Sequence, residues 1–115
     1  MVVTIFRSRL DPVHAVRYQS IAAQMRDLAL AMPGFVSIKS FTAEDGERLS
    51  MVVFESAETH QAWREHPEHR KAQRLGWEAF YSEFSVVVCD SPRVVSKGPA
   101  AWALPQPAVS SAGEA

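Results

Sequence analysis

Phe35-Val36-Ser37-Ile38-Lys39-Ser40-Phe41, then Thr42-Ala43-Glu44-Asp45-Gly46-Glu47, then Leu49-Ser50-Met51-Val52-Val53-Phe54-Glu55: this stretch decides the fold. Its flanks are rich in Val, Ile, Phe and Met, which suit a pleated, half-buried surface. Asp45-Gly46 between them is a strong turn signal, so Phe35–Phe41 and Leu49–Glu55 are expected to be the strands of a hairpin. Apolar residues occur at both parities of the two strands, so neither face of the sheet is simply solvated.

Outward from the hairpin, each flank reads as a helix and then a strand. Upstream, His14, Tyr18, Ile21, Met25, Leu28 and Met32 recur at steps of four and three, one stripe of a helix. Asp11 is a good N-cap and Pro12 a good first residue, while Met32-Pro33-Gly34 stops the helix. Before Asp11, Val2 to Leu10 is a β-branched and aromatic run. Downstream, Ser56 caps a helix over Ala57 to Arg64, and Pro67 starts a further helical segment running to about Ser82. Phe84 to Cys89 is a last, Val-rich strand.

The order β-α-β-β-α-β is the ferredoxin-like arrangement, an α+β fold with a four-stranded antiparallel sheet and helices on one face. The other face is partly apolar and needs cover, so a homodimer formed sheet to sheet is expected. Residues 1–91 form this domain. Residues 92–115 contain four of the seven prolines and are expected to be an extended or disordered tail, with Val94, Val95, Trp102 and Leu104 able to lie on a partner subunit.

Composition removes several classes of function. A net charge of −1 gives no reason to expect nucleic acid or an anionic membrane as partner. No apolar run approaches the roughly 20 residues that span a bilayer. One cysteine, Cys89, excludes an internal disulfide and fits a reducing, cytoplasmic compartment.

Potential chemistry concentrates in His60-Gln61-Ala62-Trp63-Arg64-Glu65-His66-Pro67-Glu68-His69. The histidines lack zinc spacing, and Pro67 splits them between two helical segments, so no metal site is expected. His60 and His66 read as surface or capping residues. From Pro67 onward, His69, Gln73, Gly76 and Phe80 share one face at offsets of four, three and four. Gly76 is costly inside a helix and makes sense where something packs closely against it. His69 on that face is placed to accept a phenolic proton near neutral pH.

The segments Met32-Pro33-Gly34-Phe35, Phe54-Glu55-Ser56, Ala62 to His69, Ala72-Gln73, Gly76 and Phe80-Tyr81, with Phe6 to Pro12 at the start, together resemble the antibiotic biosynthesis monooxygenase family and its haem-degrading relatives. The resemblance covers about the first 90 residues. It implies a dimeric α+β barrel and monooxygenation of small aromatic or polycyclic phenols by O₂ without flavin or metal, or oxidative opening of haem. Trp63 matches the tryptophan of the family pocket. The haem-degrading branch has a ligating histidine ten residues later, where this chain has Gln73, and an asparagine late in the first strand, where it has Phe6-Arg7-Ser8-Arg9. The polyketide-oxidising branch has an asparagine one turn before the tryptophan and a tyrosine six after it. Here those positions are Thr59 and His69.

Trp63 and His69 are therefore the candidate catalytic pair, with no bound cofactor. Gln73, Phe80, Arg7, Met25 and Phe54 are the candidate substrate-binding residues. Haem binding, and a non-catalytic dimer that binds a small molecule, are the alternatives.

Overall fold

The computed structural model describes residues 1–98. Strand β1 (Val2–Leu10) ends at Asp11, whose carboxylate accepts the Val13 backbone N–H at 3.0 Å. A single 3₁₀ turn, Pro12–His14, then leads into helix α1 (Ala15–Ala31). The hairpin is β2 (Phe35–Thr42) and β3 (Arg48–Phe54). Helices α2 (Ala57–Glu65) and α3 (Pro67–Leu75) follow, and a π-helical turn (Gly76–Phe80) delivers the chain to β4 (Tyr81–Asp90). The sheet is antiparallel in the order β2-β3-β1-β4, as the βαββαβ reading requires.

Register assigns the two faces. Val2 pairs with Phe54 and Asp90, Thr4 with Val52 and Val88, and Phe6 with Ser50 and Val86. Because side chains alternate, these residues share the face that carries the helices. Ile5, Arg7, Arg9, Leu49, Met51 and Val87 lie on the other face, which no helix covers. The core under the helices is built from Ala29, Phe54 and Trp63, with Met25, Leu28, Met32, Phe35 and Val52 packed against it. A second cluster, nearer the open ends of β1 and β4, joins Phe6, Tyr18, Phe80, Tyr81 and Phe84.

The helical run expected to reach Ser82 stops at Phe80, and Tyr81 already belongs to β4. Two contacts explain the early stop. Tyr81 pairs with Leu10 across a bulge in the ladder, and its ring lies over Gly76 so closely that a Cβ there would sit 2.8 Å from the ring. Tyr81 is thus the close neighbour that Gly76 implied. Residues 92–98 form neither helix nor strand, with Val95 exposed. The rest of the expected tail, including Trp102 and Leu104, lies outside the described residues.

Candidate active site

The passage from β3 into α2 fixes where Trp63 falls. Ser56 Oγ accepts the Thr59 backbone N–H, while Thr59 Oγ1 accepts the Ser56 backbone N–H, each at 3.2 Å. This is a capping box with threonine in place of the usual Glu or Gln. Gly34 lets the box seat against the α1–β2 turn, since its φ is +79° and a Cβ would meet Thr59 at 2.5 Å. Two turns past Ser56, Trp63 enters the core and stacks on Phe54 with centroids 6.2 Å apart.

His66 ends α2 and starts α3, its Nδ1 accepting the Glu68 backbone N–H at 3.2 Å. Its expected capping role holds. With Pro67 as the first residue of α3, the chain turns back so that His69 lies face to face on Trp63. Their centroids are 3.8 Å apart and the planes differ by 16°. His69 Nδ1 is also 3.0 Å from the Trp63 carbonyl oxygen. A carbonyl can only accept, so Nδ1 carries the proton and Nε2 holds the lone pair. Burial pushes the His69 pKa down to about 4, opposed by the hydrogen bond to Trp63. At neutral pH the ring is uncharged, and Nε2 is an acceptor with no protein partner among the described residues.

The candidate residues do not all converge. Trp63, His69, Phe54 and Met25 belong to one packed region. Phe80 is buried, but in the second cluster, against Tyr18 and His14. Gln73 is exposed. Phe80 leaves the His69 face because α3 ends at Leu75 and the wider π turn resets the angular positions beyond it, whereas Gln73, one turn after His69 within α3, is simply exposed. Arg7 lies on the helix-free face, exposed, with its guanidinium on Glu47 at 2.6 Å. That face is the wrong side of the sheet for contact with Trp63.

Sequence reasoning also misplaced His60. It is 5% exposed, not a surface residue, and its Nε2 lies 2.8 Å from Thr4 Oγ1. The available signal was its offset of three from Trp63, which puts both on the buried face of α2. Burial and Arg64 hold its pKa below the usual histidine value. In the second cluster Tyr81 is pushed the other way, upward, by burial and by Tyr18 beside it. Its phenol stays protonated and is no base.

Two cavities flank this region. One, of about 60 Å³, lies between α1 and α3 and is lined by Met25, Ala72 and Leu75 among others. The larger, about 290 Å³, lies between α2 and the β1–β4 pair, beside His60 and Arg64. Neither is lined by Trp63, His69 or Gln73.

Residues 1–75 match the antibiotic biosynthesis monooxygenase family profile. The chain belongs to that family. A curated relative, the uncharacterised protein YqjZ of Bacillus subtilis, is 30% identical over 76 residues, which span 66% of this chain and 67% of the relative. Among solved structures, Rv0793 of Mycobacterium tuberculosis superimposes with a TM-score of 0.71 at 19% identity, covering 83% of this chain and 98% of that one. SnoaB of Streptomyces nogalater, a cofactor-independent oxygenase, gives 0.69 at 12% identity, over 84% and 97% of the two chains. At these identities the structural matches speak for the fold, the ferredoxin-like α+β fold of the family.

The haem chemistry of some relatives finds poor support in these residues. Position 73 offers an exposed amide where the haem-degrading branch has its ligating imidazole. Among the described residues no group of three or more His, Cys, Asp or Glu side chains could hold a metal ion, and no helix is long and apolar enough to cross a membrane.

Proposed function

We propose that this family member oxidises a small aromatic or polycyclic phenol with O₂, without a bound cofactor, at the Trp63–His69 pair. The observation that carries the proposal is the neutral His69 ring, held by the Trp63 carbonyl in the one tautomer that leaves Nε2 free to accept a proton. A base with a pKa near 4 is weak, so the substrate must itself be acidic or become so as the electron leaves. Nε2 orients the acidic hydrogen and receives it, the resulting anion gives electrons to O₂, and the indole with Phe54 and Met25 supplies an apolar wall. One oxygen atom enters the product as a carbonyl and the other leaves as water, and with no external reductant the substrate supplies all four electrons, losing two hydrogens as it gains one oxygen. SnoaB, a cofactor-independent oxygenase of the same fold, makes this chemistry a reasonable expectation.

The active form in this reading is a homodimer in the cytoplasm, with the helix-free faces of two sheets packed together as a barrel. Ile5, Met51 and Val87 supply apolar surface there, and Val87 is 52% exposed in the single chain. The domain is residues 1–91, with the remainder an appended tail.

A second reading, a non-catalytic dimer that binds a small molecule, is favoured by one observation. Trp63 is only 6% exposed, and neither cavity opens beside it. Oxygen uptake separates the two readings. The apo protein incubated with an anthrone-type phenol consumes O₂ above the uncatalysed rate if it is an oxygenase. No added uptake and no ligand binding would remove the enzymatic reading.

A further inference from the structure

The larger cavity belongs to a different part of the molecule from Trp63 and His69. One face of α2 forms a wall, with Ala57, His60 and Arg64 at successive turns, and the sheet forms the other with Val2, Val88 and Asp90. Val2 pairs with Asp90 and Thr4 with Val88, so these sheet residues share the helix-bearing face. The volume, about 290 Å³, falls just below the range typical of drug-sized ligands and suits a smaller molecule.

Three charged residues border this space, Arg64 and Glu65 on α2 and Asp90 on β4, and Arg64 and Asp90 do not neutralise each other. Among the described residues Arg64 makes no ion pair, and the one side-chain partner of the Asp90 carboxylate is the Ser91 hydroxyl, which donates to it at 3.1 Å. On the other face of the sheet, by contrast, Arg7 is paired with Glu47 and Arg9 with Asp45 and Glu83. The apolar surface that the lining offers is that of Val88, 47% exposed, with the buried Val2 behind it. His60 is anchored by Thr4, so that part of the wall is fixed before any ligand arrives. Arg64, on α2, and Asp90, on β4, line the same cavity as His60 from its two walls.

We infer that this cavity binds a small zwitterion, an α-amino acid with a compact apolar side chain: Arg64 takes the carboxylate, Asp90 takes the ammonium group, and Val88 receives the side chain. A guanidinium is the natural partner of a carboxylate, which it can grip through two N–H donors. A simple anion would meet repulsion from Asp90 and Glu65, and a simple cation repulsion from Arg64. The opposed charges thus select for the zwitterion. This site does not depend on the oxidation proposed above, because its lining excludes Trp63 and His69.

The test is a titration of the ¹⁵N-labelled chain with L-leucine, isovalerate and isoamylamine, followed by amide shifts. Leucine is expected to move the signals of His60, Gln61 and Arg64 saturably, with the other two compounds at least about tenfold weaker. Arg64→Gln and Asp90→Asn should each weaken leucine by about tenfold or more, with spectra elsewhere unchanged. Equal binding of isovalerate, equal binding of isoamylamine, or no saturable shift with leucine at millimolar concentration would each overturn the assignment.

Discussion

The imidazole of His69 lies flat on the indole of Trp63 at 3.8 Å and donates its Nδ1 hydrogen to the backbone carbonyl of the same residue. One residue thereby fixes both the plane and the tautomer of another, across the break that His66 and Pro67 make between two helices. Burial then keeps the ring neutral.

That depressed pKa makes stability depend on pH. A histidine with a pKa of 6.5 unfolded and about 4 folded binds more protons in the unfolded chain at any pH between those values. Its contribution is complete above pH 6.5 and is lost as the pH falls through about 4, with a span on the order of 3 kcal/mol. Urea denaturation at neutral and acid pH measures it. His69→Phe keeps the stacking and should flatten most of the slope, leaving a smaller share from His60, which is shifted in the same direction.

Thr4→Val should destabilise the fold although it adds apolar surface to a strand. It removes the partner of His60 Nε2 in a nearly closed position. An unpartnered buried polar atom costs about 1–3 kcal/mol. Equilibrium unfolding of the variant at neutral pH reads the loss. An unchanged midpoint would show that His60 finds another partner.

Gly76→Ala should reverse the ordinary helix preference. Alanine gains about 1 kcal/mol over glycine in an open helix, but here its Cβ would meet the Tyr81 ring at 2.8 Å. Overpacking of that kind costs about 1–3 kcal/mol, so a net loss is expected. In a Tyr81→Leu background the same substitution should cost less. Thermal melts of the four proteins form the cycle that checks it.

Met51→Glu places a charge in the middle of the helix-free face. If two copies pair through that face, the wild-type chain sediments as a dimer and the variant as a folded monomer with unchanged circular dichroism. A variant that remains dimeric would move the interface elsewhere.

The element order was legible because hydrophobic period and punctuation agreed nearly everywhere. Asp11-Pro12, Met32-Pro33-Gly34, Asp45-Gly46, Ser56 and His66-Pro67 each mark a boundary that the structure keeps within a few residues. The exception was the end of α3, where no sequence rule signals a π turn and helical offsets were carried too far. That error linked Phe80 to His69, while Gln73, within α3 itself, is exposed. Arg7 was misread for another reason, since only the strand register shows which face a residue takes. Cavity chemistry at Arg64 and Asp90 was invisible for the same cause: these residues border one space because α2 faces the β1–β4 pair, not through any spacing along the chain. The Trp63–His69 window was the part of the site that could be read directly, because one short reversal brings the two together.

Oxygen uptake by the wild-type chain and by His69→Gln, with an anthrone-type phenol in excess, tests the central claim most directly. The account predicts uptake above the uncatalysed rate for the wild type and a fall of about tenfold or more in a variant that remains folded. A wild-type rate equal to the uncatalysed one, or an undiminished rate in His69→Gln, would contradict it.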